Sequence, residues 1–209
     1  MITTTESTES RILAAAEAEF MQKGYAGART SSIAEEAGVT HAMLHYYFRT
    51  KKNLFDKIVS EKFTMLREIM LSSLGDNSLP FFERIRNAIC EHLDFIAKQP
   101  DLPRFMIVEV FYQPERMEII KNALSKYTIP LINNIQKEID QLAERGECRR
   151  VDAAMLLLDI ISLNIFSFIS APILNPLVGG IMDNMHDFVE RRKIENVETI
   201  MRKLGVSNI

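Results

Sequence analysis

The sequence predicts an all-α protein, in which an N-terminal segment of three short helices precedes a larger helical domain, with about nine helices in total. Apolar residues recur every three or four positions along nearly the whole chain, as on amphipathic helices. Period-two alternation and the hairpin pairs Asn-Gly and Asp-Gly, which indicate strands and tight turns, are absent. Among the helical stripes are Ile12, Ala16 and Phe20; Phe82, Ile85, Ile89, Leu93 and Ile96; and Ile194, Val197, Met201 and Leu204.

Glycines and prolines divide these stripes into elements. Gly24 is expected to end the first helix, because glycine readily adopts the left-handed conformation that follows a helix. Pro130 is expected to kink a long helix. Residues 171–180 contain two prolines and two glycines and are predicted to form a loop. The first nine residues are polar and are predicted to be disordered.

The composition is that of a soluble globular protein, and it excludes several classes. Of 209 residues, 47% are apolar and 25% charged, and the net charge of −3 excludes a strongly basic, histone-like protein. Cys90 and Cys148 form no CxxC pair, which favours reduced thiols over a redox or zinc site. Because phosphate loops, GxSxG and HExxH motifs are also absent, we expect neither an enzyme nor a cofactor.

The most apolar stretch, residues 153–174, raises the question of a membrane span. Asp159 and Asn164 lie within it, and a central carboxylate costs roughly 2.5–3.5 kcal/mol in a bilayer. We interpret the stretch as a buried helix of a soluble protein. No basic and apolar leader opens the chain, so a cytoplasmic protein without a membrane partner is predicted.

The character of the chain changes near residue 60, where short helices with small residues give way to long helices rich in Leu, Ile, Met and Phe. The boundary is placed inside the helix that begins near Lys51, so that this helix joins both parts. The predicted domains are therefore residues 1–50 and 51–209.

Residues 30–48, TSSIAEEAGVTHAMLHYYF, have the pattern of a helix-turn-helix. Thr30 or Ser31 can cap a first short helix, and Ala34 is small where two helices must cross closely. Gly38 can make the sharp turn, and Thr40 can cap a second helix over residues 41–47. Thr50 can cap the helix that follows.

The second helix of this motif presents hydrogen-bonding side chains away from its apolar side. His41 and His45, four residues apart, share one face with Ala42 and Tyr46. Such side chains can contact phosphates, base edges and a thymine methyl. Residues 40–57 hold four basic residues against one acidic residue, so positive charge is concentrated beside this helix. The pattern predicts insertion into the major groove of double-stranded DNA.

Residues 9–58 resemble the DNA-binding domain of TetR-type transcriptional regulators. The similar pieces are an Arg-Ile-Leu-x-Ala-Ala opening at residue 11, Phe20, Gly24-Tyr25, an Ile-Ala-x-x-Ala-Gly-Val run at residues 33–39, a Leu-x-Tyr-Tyr-Phe stretch at residues 44–48, and Lys-x-x-Leu at residues 51–54. The resemblance implies that helices one to three bind operator DNA, that helix four links them to the rest, and that helices five to nine bind an effector and dimerise.

The resemblance also implies a set of DNA-contacting residues. His41 and His45 stand where relatives often have Lys and Tyr, and Ala28-Arg29 replaces a hydroxyl pair, so the operator sequence is this chain's own. Lys51, with the free N–H groups at the start of helix four, would hold a phosphate. The predicted DNA-binding residues are Arg29, Thr30, Ser31, Thr40, His41, Ala42, His45, Tyr46, Tyr47 and Lys51.

The sequence offers candidates for two further kinds of site, a metal site and an effector pocket. A metal on His41 and His45 lacks a third ligand fixed by the sequence, so no metal site is predicted. Polar and aromatic residues within the C-terminal helices are candidates for an effector pocket between helices, although each can equally be a core residue. The candidate ligand-binding residues are His92, Phe105, Glu109, Tyr127, Asn164 and Phe168.

The last long helices, residues 151–170 and 183–204, are predicted to form a symmetric dimer interface, because the first is apolar nearly all round. The hypothesis is therefore a homodimeric, DNA-binding transcriptional regulator, a repressor released by a small-molecule effector. The alternatives are an activator of the same fold and a helical small-molecule-binding protein that no longer binds DNA.

Overall fold

The computed structural model describes residues 7–206, apart from the side chains of residues 119, 122 and 123. Within this range every regular element is helical, which confirms the predicted all-α class. There are nine α-helices and one π-helical segment. The helices are α1 Thr8–Gly27, α2 Thr30–Glu36, α3 His41–Phe48, α4 Lys51–Gly75, α5 Phe81–Ala97, α6 Leu102–Met106, α7 Pro114–Glu144, α8 Ala153–Leu177 and α9 Met185–Leu204, and the π-helical segment is Ile107–Phe111.

The chain divides into two compact units, and the division differs from a single boundary at residue 50. Unit 1 comprises residues 1–64 and 105–120, and unit 2 comprises residues 65–104 and 121–209. Helices α4 and α7 therefore each contribute to both units. A sequence boundary misses this arrangement because residues 105–120 join unit 1 through contacts that are distant along the chain.

The core of unit 1 is centred on aromatic rings of α1 and α4. Phe20 and Phe55 are fully buried, with ring centroids 5.1 Å apart at nearly a right angle. Tyr25 packs against both, at 6.1 Å from Phe20 and 5.0 Å from Phe55. This aromatic cluster fixes the end of α1 against α4, and α2 and α3 lie between these two helices along the chain.

The core of unit 2 joins α5, α7, α8 and α9. Its fully buried members include Ile85, Ile89, Ile139, Leu156 and Leu204. Arg84 is also buried, and its two terminal nitrogens donate to the carbonyl of Leu74, the side chain of Asn77 at 3.2 Å and the carboxylate of Glu138, whereas its Nε has no partner among the described residues. These contacts hold α5 against α7.

Two local predictions about the N-terminal helices were wrong. The polar start is not disordered throughout, because the Ser7 hydroxyl accepts a hydrogen bond from Ser10 N and caps α1; residues 1–6 lie outside the described residues. The cap of α2 is Arg29 rather than Thr30 or Ser31, and its side chain makes no capping bond. Gly24 does end the regular part of α1, with φ 68°, and a short helical turn follows this kink as far as Gly27.

The predicted loop at residues 171–180 is also wrong over most of its length. Helix α8 continues through Pro172 and Pro176 to Leu177. Each proline removes one backbone donor, but the bonds around it close the helix, including Val178 N to Leu174 O at 3.0 Å. Both prolines are predicted to break the helix, whereas each removes only one backbone hydrogen bond from α8.

Helix α8 is less buried than the sequence suggested. One stripe packs into unit 2, comprising Ala153, Leu156, Ile160, Asn164 and Phe168. Only 28% of its most apolar window is buried, and by length and composition alone it is the one helix among the described residues that could cross a membrane. Core helices of soluble proteins also pass this test. The exposed apolar residues of α8 form a second stripe, the outer stripe: Met155, Leu158, Phe166, Ile173 and Leu177.

Candidate nucleic-acid interface

The turn between α2 and α3 has the geometry that the sequence predicted. Gly38 adopts φ 63°, and Val39 N donates to Ala34 O at 2.9 Å, so the chain reverses within two residues. The Thr40 hydroxyl then accepts from Met43 N at 3.2 Å and caps α3. The N–H groups of Gly38 and Val39 and the Thr40 hydroxyl thus all form hydrogen bonds that fix the turn and the start of α3.

Helix α3 has one buried side and one exposed side. Leu44 and Phe48 are buried, whereas the predicted DNA-facing residues of this helix are all exposed. Tyr46 is 82% exposed, which is unusual for so large a ring unless it serves a partner. The exposed set is His41, Ala42, His45, Tyr46 and Tyr47.

The exposed side chains of α3 are ordered by contacts with one another. The Nε2 atom of His41 lies 3.0 Å from the Thr30 hydroxyl, which ties the start of α3 to the start of α2. The rings of His41 and His45 lie 4.7 Å apart, edge to face, and those of Tyr46 and Tyr47 lie 5.6 Å apart. These contacts limit side-chain rotation, so less conformational entropy is lost when a ligand is bound.

The cationic residues near α3 differ in how far they are already occupied. Lys51 donates to Ala28 O at 2.6 Å and to Ala26 O at 3.4 Å, and Lys52 pairs with Asp56 at 2.6 Å. Arg29 and Arg49 are exposed, and neither side chain forms an ion pair within residues 7–206. Arg49 was not predicted; it follows α3 directly with φ 60°, a conformation with no sequence signal at an arginine.

The start of α4 can also receive an anion. The Thr50 hydroxyl accepts from Asn53 N at 3.1 Å, and helix N-termini carry partial positive charge. Ser31, in the first turn of α2, is exposed. Thr40, the cap residue of α3, is also exposed. Three helix starts, exposed aromatic and imidazole groups and free arginines thus belong to one unit, an arrangement suited to phosphates and base edges.

The comparisons agree with this geometry. Residues 12–58 match the family model of bacterial regulatory proteins of the tetR family. Residues 12–58 thus form a tetR-type N-terminal segment. The matched residues run from the first buried residue of α1 into α4 and include the whole of α2 and α3.

Curated relatives of this chain are named as helix-turn-helix regulators. It is 29% identical over 174 residues to the "Probable HTH-type transcriptional regulator YttP" of Bacillus subtilis, covering 81% of this chain and 79% of that protein. It is 33% identical over 104 residues to the "HTH-type transcriptional repressor SCO4008" of Streptomyces coelicolor, covering 50% of each. It spans 59% of a third relative, YdgC of Bacillus subtilis, at 26% identity.

Solved structures share the fold of this chain along nearly its whole length. A tetR-family regulator from Rhodococcus RHA1 has a TM-score of 0.72 at 21% identity, covering 98% of this chain and all of that one. The regulator FadR from Bacillus subtilis in complex with stearoyl-CoA has a TM-score of 0.68 at 19% identity, covering 93% and 98%. At such identities the likeness concerns the fold.

The candidate effector residues are distributed over both units. In unit 2, the Asn164 amide donates to Ile89 O at 2.9 Å and lies 3.1 Å from His92 Nδ1, and Asn196 Nδ2 donates to Asn164 Oδ1 at 2.8 Å. Burial lowers the pKa of His92 to about 4, so the ring is neutral near pH 7. This network satisfies itself within the core, which is the geometry of a structural polar cluster.

The other four candidates have different surroundings. In unit 2, Phe168 is buried with its ring 6.0 Å from that of Phe188, whereas Tyr127 is 38% exposed and lies beneath the Arg67 guanidinium at 4.8 Å. Phe105 and Glu109 lie in unit 1. Within residues 7–206 no group of three or more His, Cys, Asp or Glu side chains could hold a metal ion.

Proposed function

We propose that the protein is a homodimeric repressor that places α3 of each subunit in the major groove of an operator and leaves the DNA when a small-molecule effector binds. The observation that carries this proposal is the exposed face of α3, where five neighbouring side chains with hydrogen-bonding or small groups project from a rigid helix. A regulator, not an enzyme, acts through such a face.

The contacts within unit 1 suggest which residues would contact bases and which would contact the DNA backbone. His41, His45, Tyr46 and Tyr47 would contact bases and nearby phosphates, while Ala42 would let the helix approach the groove floor. Arg29 and Arg49, with the starts of α2, α3 and α4, would hold the backbone. Lys51 can use only its remaining N–H for a phosphate, because its other donors serve Ala26 and Ala28.

The outer stripe of α8 supports the homodimer. Its members are 52–74% exposed, and such an apolar surface on a soluble protein commonly marks an interface. The same stripe on a second copy is complementary to it under two-fold symmetry. Dimer geometry would set the half-site spacing, at about one helical turn or more.

Release follows if the effector binds more tightly to a dimer whose two α3 helices no longer fit one duplex. Helix α4 is the covalent link in this scheme, because it begins beside the DNA-binding face in unit 1 and ends in unit 2. Stearoyl-CoA, the ligand of one structural relative, is a reasonable first effector probe. We expect the regulator to act in the cytoplasm.

Selection of bound duplexes from a random pool tests the proposal and supplies the operator. We expect the double variant His41→Ala/His45→Ala to lose the selected footprint while remaining a dimer in sedimentation. His186→Ala, which replaces an exposed histidine near the start of α9 and outside the DNA-binding face, is the control and should bind as the unaltered protein does. Failure of the unaltered chain to enrich any duplex would overturn the proposal.

A further inference from the structure

Residues 105–120 belong to the DNA-binding unit although they follow it at a distance along the chain. The ring of Phe105 packs on that of Phe55 at 5.7 Å, and the π-helical segment and the first turns of α7 follow. π-Helical turns are rare and occur frequently at functional sites. We therefore expect this segment to do more in unit 1 than connect α6 to α7.

Arg116, in the first turn of α7, stacks on two rings of the aromatic cluster. Its guanidinium carbon lies 4.3 Å from the ring centre of Tyr25 and 4.2 Å from that of Phe55. Tyr25 comes from α1 and Phe55 from α4, so one cation bridges both helices. Such contacts are strongest when partly removed from water, and the Arg116 side chain is only 15% exposed.

Glu109, in the π-helical segment, holds Arg116 in this position. Its carboxylate lies 3.7 Å from the Arg116 guanidinium, and its backbone carbonyl accepts a hydrogen bond from the same group. The carboxylate also lies against Gly24, where any added Cβ would collide with it. The absence of a side chain at Gly24 thus leaves room for the Glu109 carboxylate of the π-helical segment.

The same Tyr25 ring is also approached by Lys51, whose ammonium lies 4.9 Å from its centre and donates to Ala28 O at 2.6 Å. Tyr25 therefore links Arg116 to the first turn of α4 and to the residue that precedes Arg29. Helices α2 and α3 connect the end of α1 to the start of α4. The angle between α1 and α4 therefore determines the position of α3.

We propose that Arg116 is a positioning residue for operator binding, which fixes α1 against α4 through Tyr25 and Phe55 and so holds α3 at the angle that the operator requires. The DNA-binding unit is accordingly discontinuous: residues 105–116 complete the segment that the family model matches. This inference rests on the proposed function and adds to it a residue outside the helix-turn-helix.

The test compares Arg116→Met with Arg104→Met, a control that removes the same charge from an exposed position on α6. Operator affinity is measured by fluorescence anisotropy with a selected duplex and with a scrambled one, over a range of salt concentrations. We expect Arg116→Met to bind the operator about tenfold more weakly and the scrambled duplex nearly as before, with an unchanged salt slope.

A second pair separates positioning from general stability. Tyr25→Leu removes the ring that Arg116 covers, whereas Tyr25→Phe retains it. We expect the phenylalanine variant to restore the affinity that the leucine variant loses, and Tyr25→Leu/Arg116→Met to bind no more weakly than the worse single variant. Should Arg116→Met fail to fold, Arg116→Lys, which keeps the charge but loses the planar stack, is expected to show about a threefold loss.

The possible results distinguish failure of the proposed function from failure of the positioning role of Arg116. If the unaltered chain binds no selected duplex, the proposed function fails. If it binds and Arg116→Met matches Arg104→Met, or if the two single losses simply add, the positioning role is wrong while the proposed function stands. A salt slope reduced by about one would instead identify Arg116 as a direct phosphate contact and would also overturn the inference.

Discussion

At the scale of single residues, the cations around α3 are not equivalent, although the sequence presents them as one basic cluster. Lys51 is engaged by two backbone carbonyls at the end of α1, and Lys52 by Asp56. Arg49 extends from the end of α3 without an ion pair among residues 7–206. A phosphate would bind most readily to Arg49, because this cation loses no existing ion pair when it contacts the phosphate.

This difference gives a first prediction. Arg49→Met should reduce the slope of log affinity against log salt by about one, because one phosphate contact is lost, and should leave the unfolding temperature unchanged. Lys51→Met should lower the unfolding temperature by about 3 °C, because two carbonyls of the α1 end lose their donor. Salt titration of operator binding and thermal unfolding measure the two effects.

Lys57→Met serves as the control for this pair, because its ammonium already pairs with Glu61 at 3.2 Å on the surface of α4. It should change neither quantity appreciably. If Lys51→Met left stability intact and reduced the slope as much as Arg49→Met, Lys51 would be a phosphate ligand first and a structural residue second.

At the scale of elements, α8 combines an inward stripe with an outer stripe that unit 2 does not cover. Leu163 lies between the two and is packed on the core cluster, whereas Phe166 is 62% exposed. Beside them, a groove of about 310 Å³ between α8 and α9 is lined by Ser162, Thr199 and the paired Asp159 and Lys203. A partner side chain from a second copy would find both an apolar surface and a recess here.

The second prediction concerns the dimer. Phe166→Glu combined with Ile173→Glu should give monomers in sedimentation with native helix content, because two exposed apolar side chains become charges that a dry interface cannot bury unpaired. Loss of dimerisation should also weaken operator binding by at least tenfold, since two half-sites no longer bind together.

The control is Ile129→Glu, which makes the same change at an equally exposed position, 58%, on α7. It should remain dimeric. Leu163 is unsuitable for this purpose because its replacement would also disturb the core. A dimer that survives the double change at Phe166 and Ile173 would place the interface elsewhere.

At the scale of the whole molecule, one buried titratable residue links the stability of the fold to pH. His92 is 1% exposed, and desolvation lowers its pKa to about 4 from an ordinary value near 6.5. The unfolded chain therefore takes up a proton at His92 below pH 6.5, while the folded chain remains neutral there until about pH 4. Stability contributed by this residue is complete above pH 6.5 and is lost as the pH falls towards 4.

The third prediction follows from this linkage. The free energy of unfolding should fall by about 3 kcal/mol between pH 6.5 and pH 4 on account of His92. His92→Gln, which can keep an acceptor for Asn164 but does not titrate, should show a flatter profile over this interval. Urea unfolding at a series of pH values measures both proteins, and parallel profiles would show that His92 is not the group responsible.

The fourth prediction tests whether the polar cluster is structural. Asn164→Ala removes the common partner of His92, Asn196 and the carbonyl of Ile89, and should lower the free energy of unfolding by about 3 kcal/mol. Binding of stearoyl-CoA, if found, should weaken no more than this loss of stability explains. An intact fold with lost effector binding would instead make Asn164 a ligand residue.

Much of this molecule follows from local signals in the sequence. Gly38 and Thr40 predict the turn and the cap of α3, because a left-handed backbone and a hydroxyl cap leave few alternatives to the residue types found there. The spacing of Leu44 and Phe48 likewise predicts which side of α3 is buried. These features depend on neighbours within a few residues, and the turn, the cap and the buried side of α3 are as predicted.

Other features required the tertiary structure. The sequence does not place Arg116 on Tyr25 and Phe55, engage Lys51 with the end of α1, or join His92, Asn164 and Asn196, because each of these contacts brings together residues far apart in the chain. The sequence by itself determined the all-α class, the helix-turn-helix pattern and the exposed face of α3. Only the three-dimensional arrangement decided which polar and charged groups already have partners, because pairing depends on distances that the order of residues does not contain.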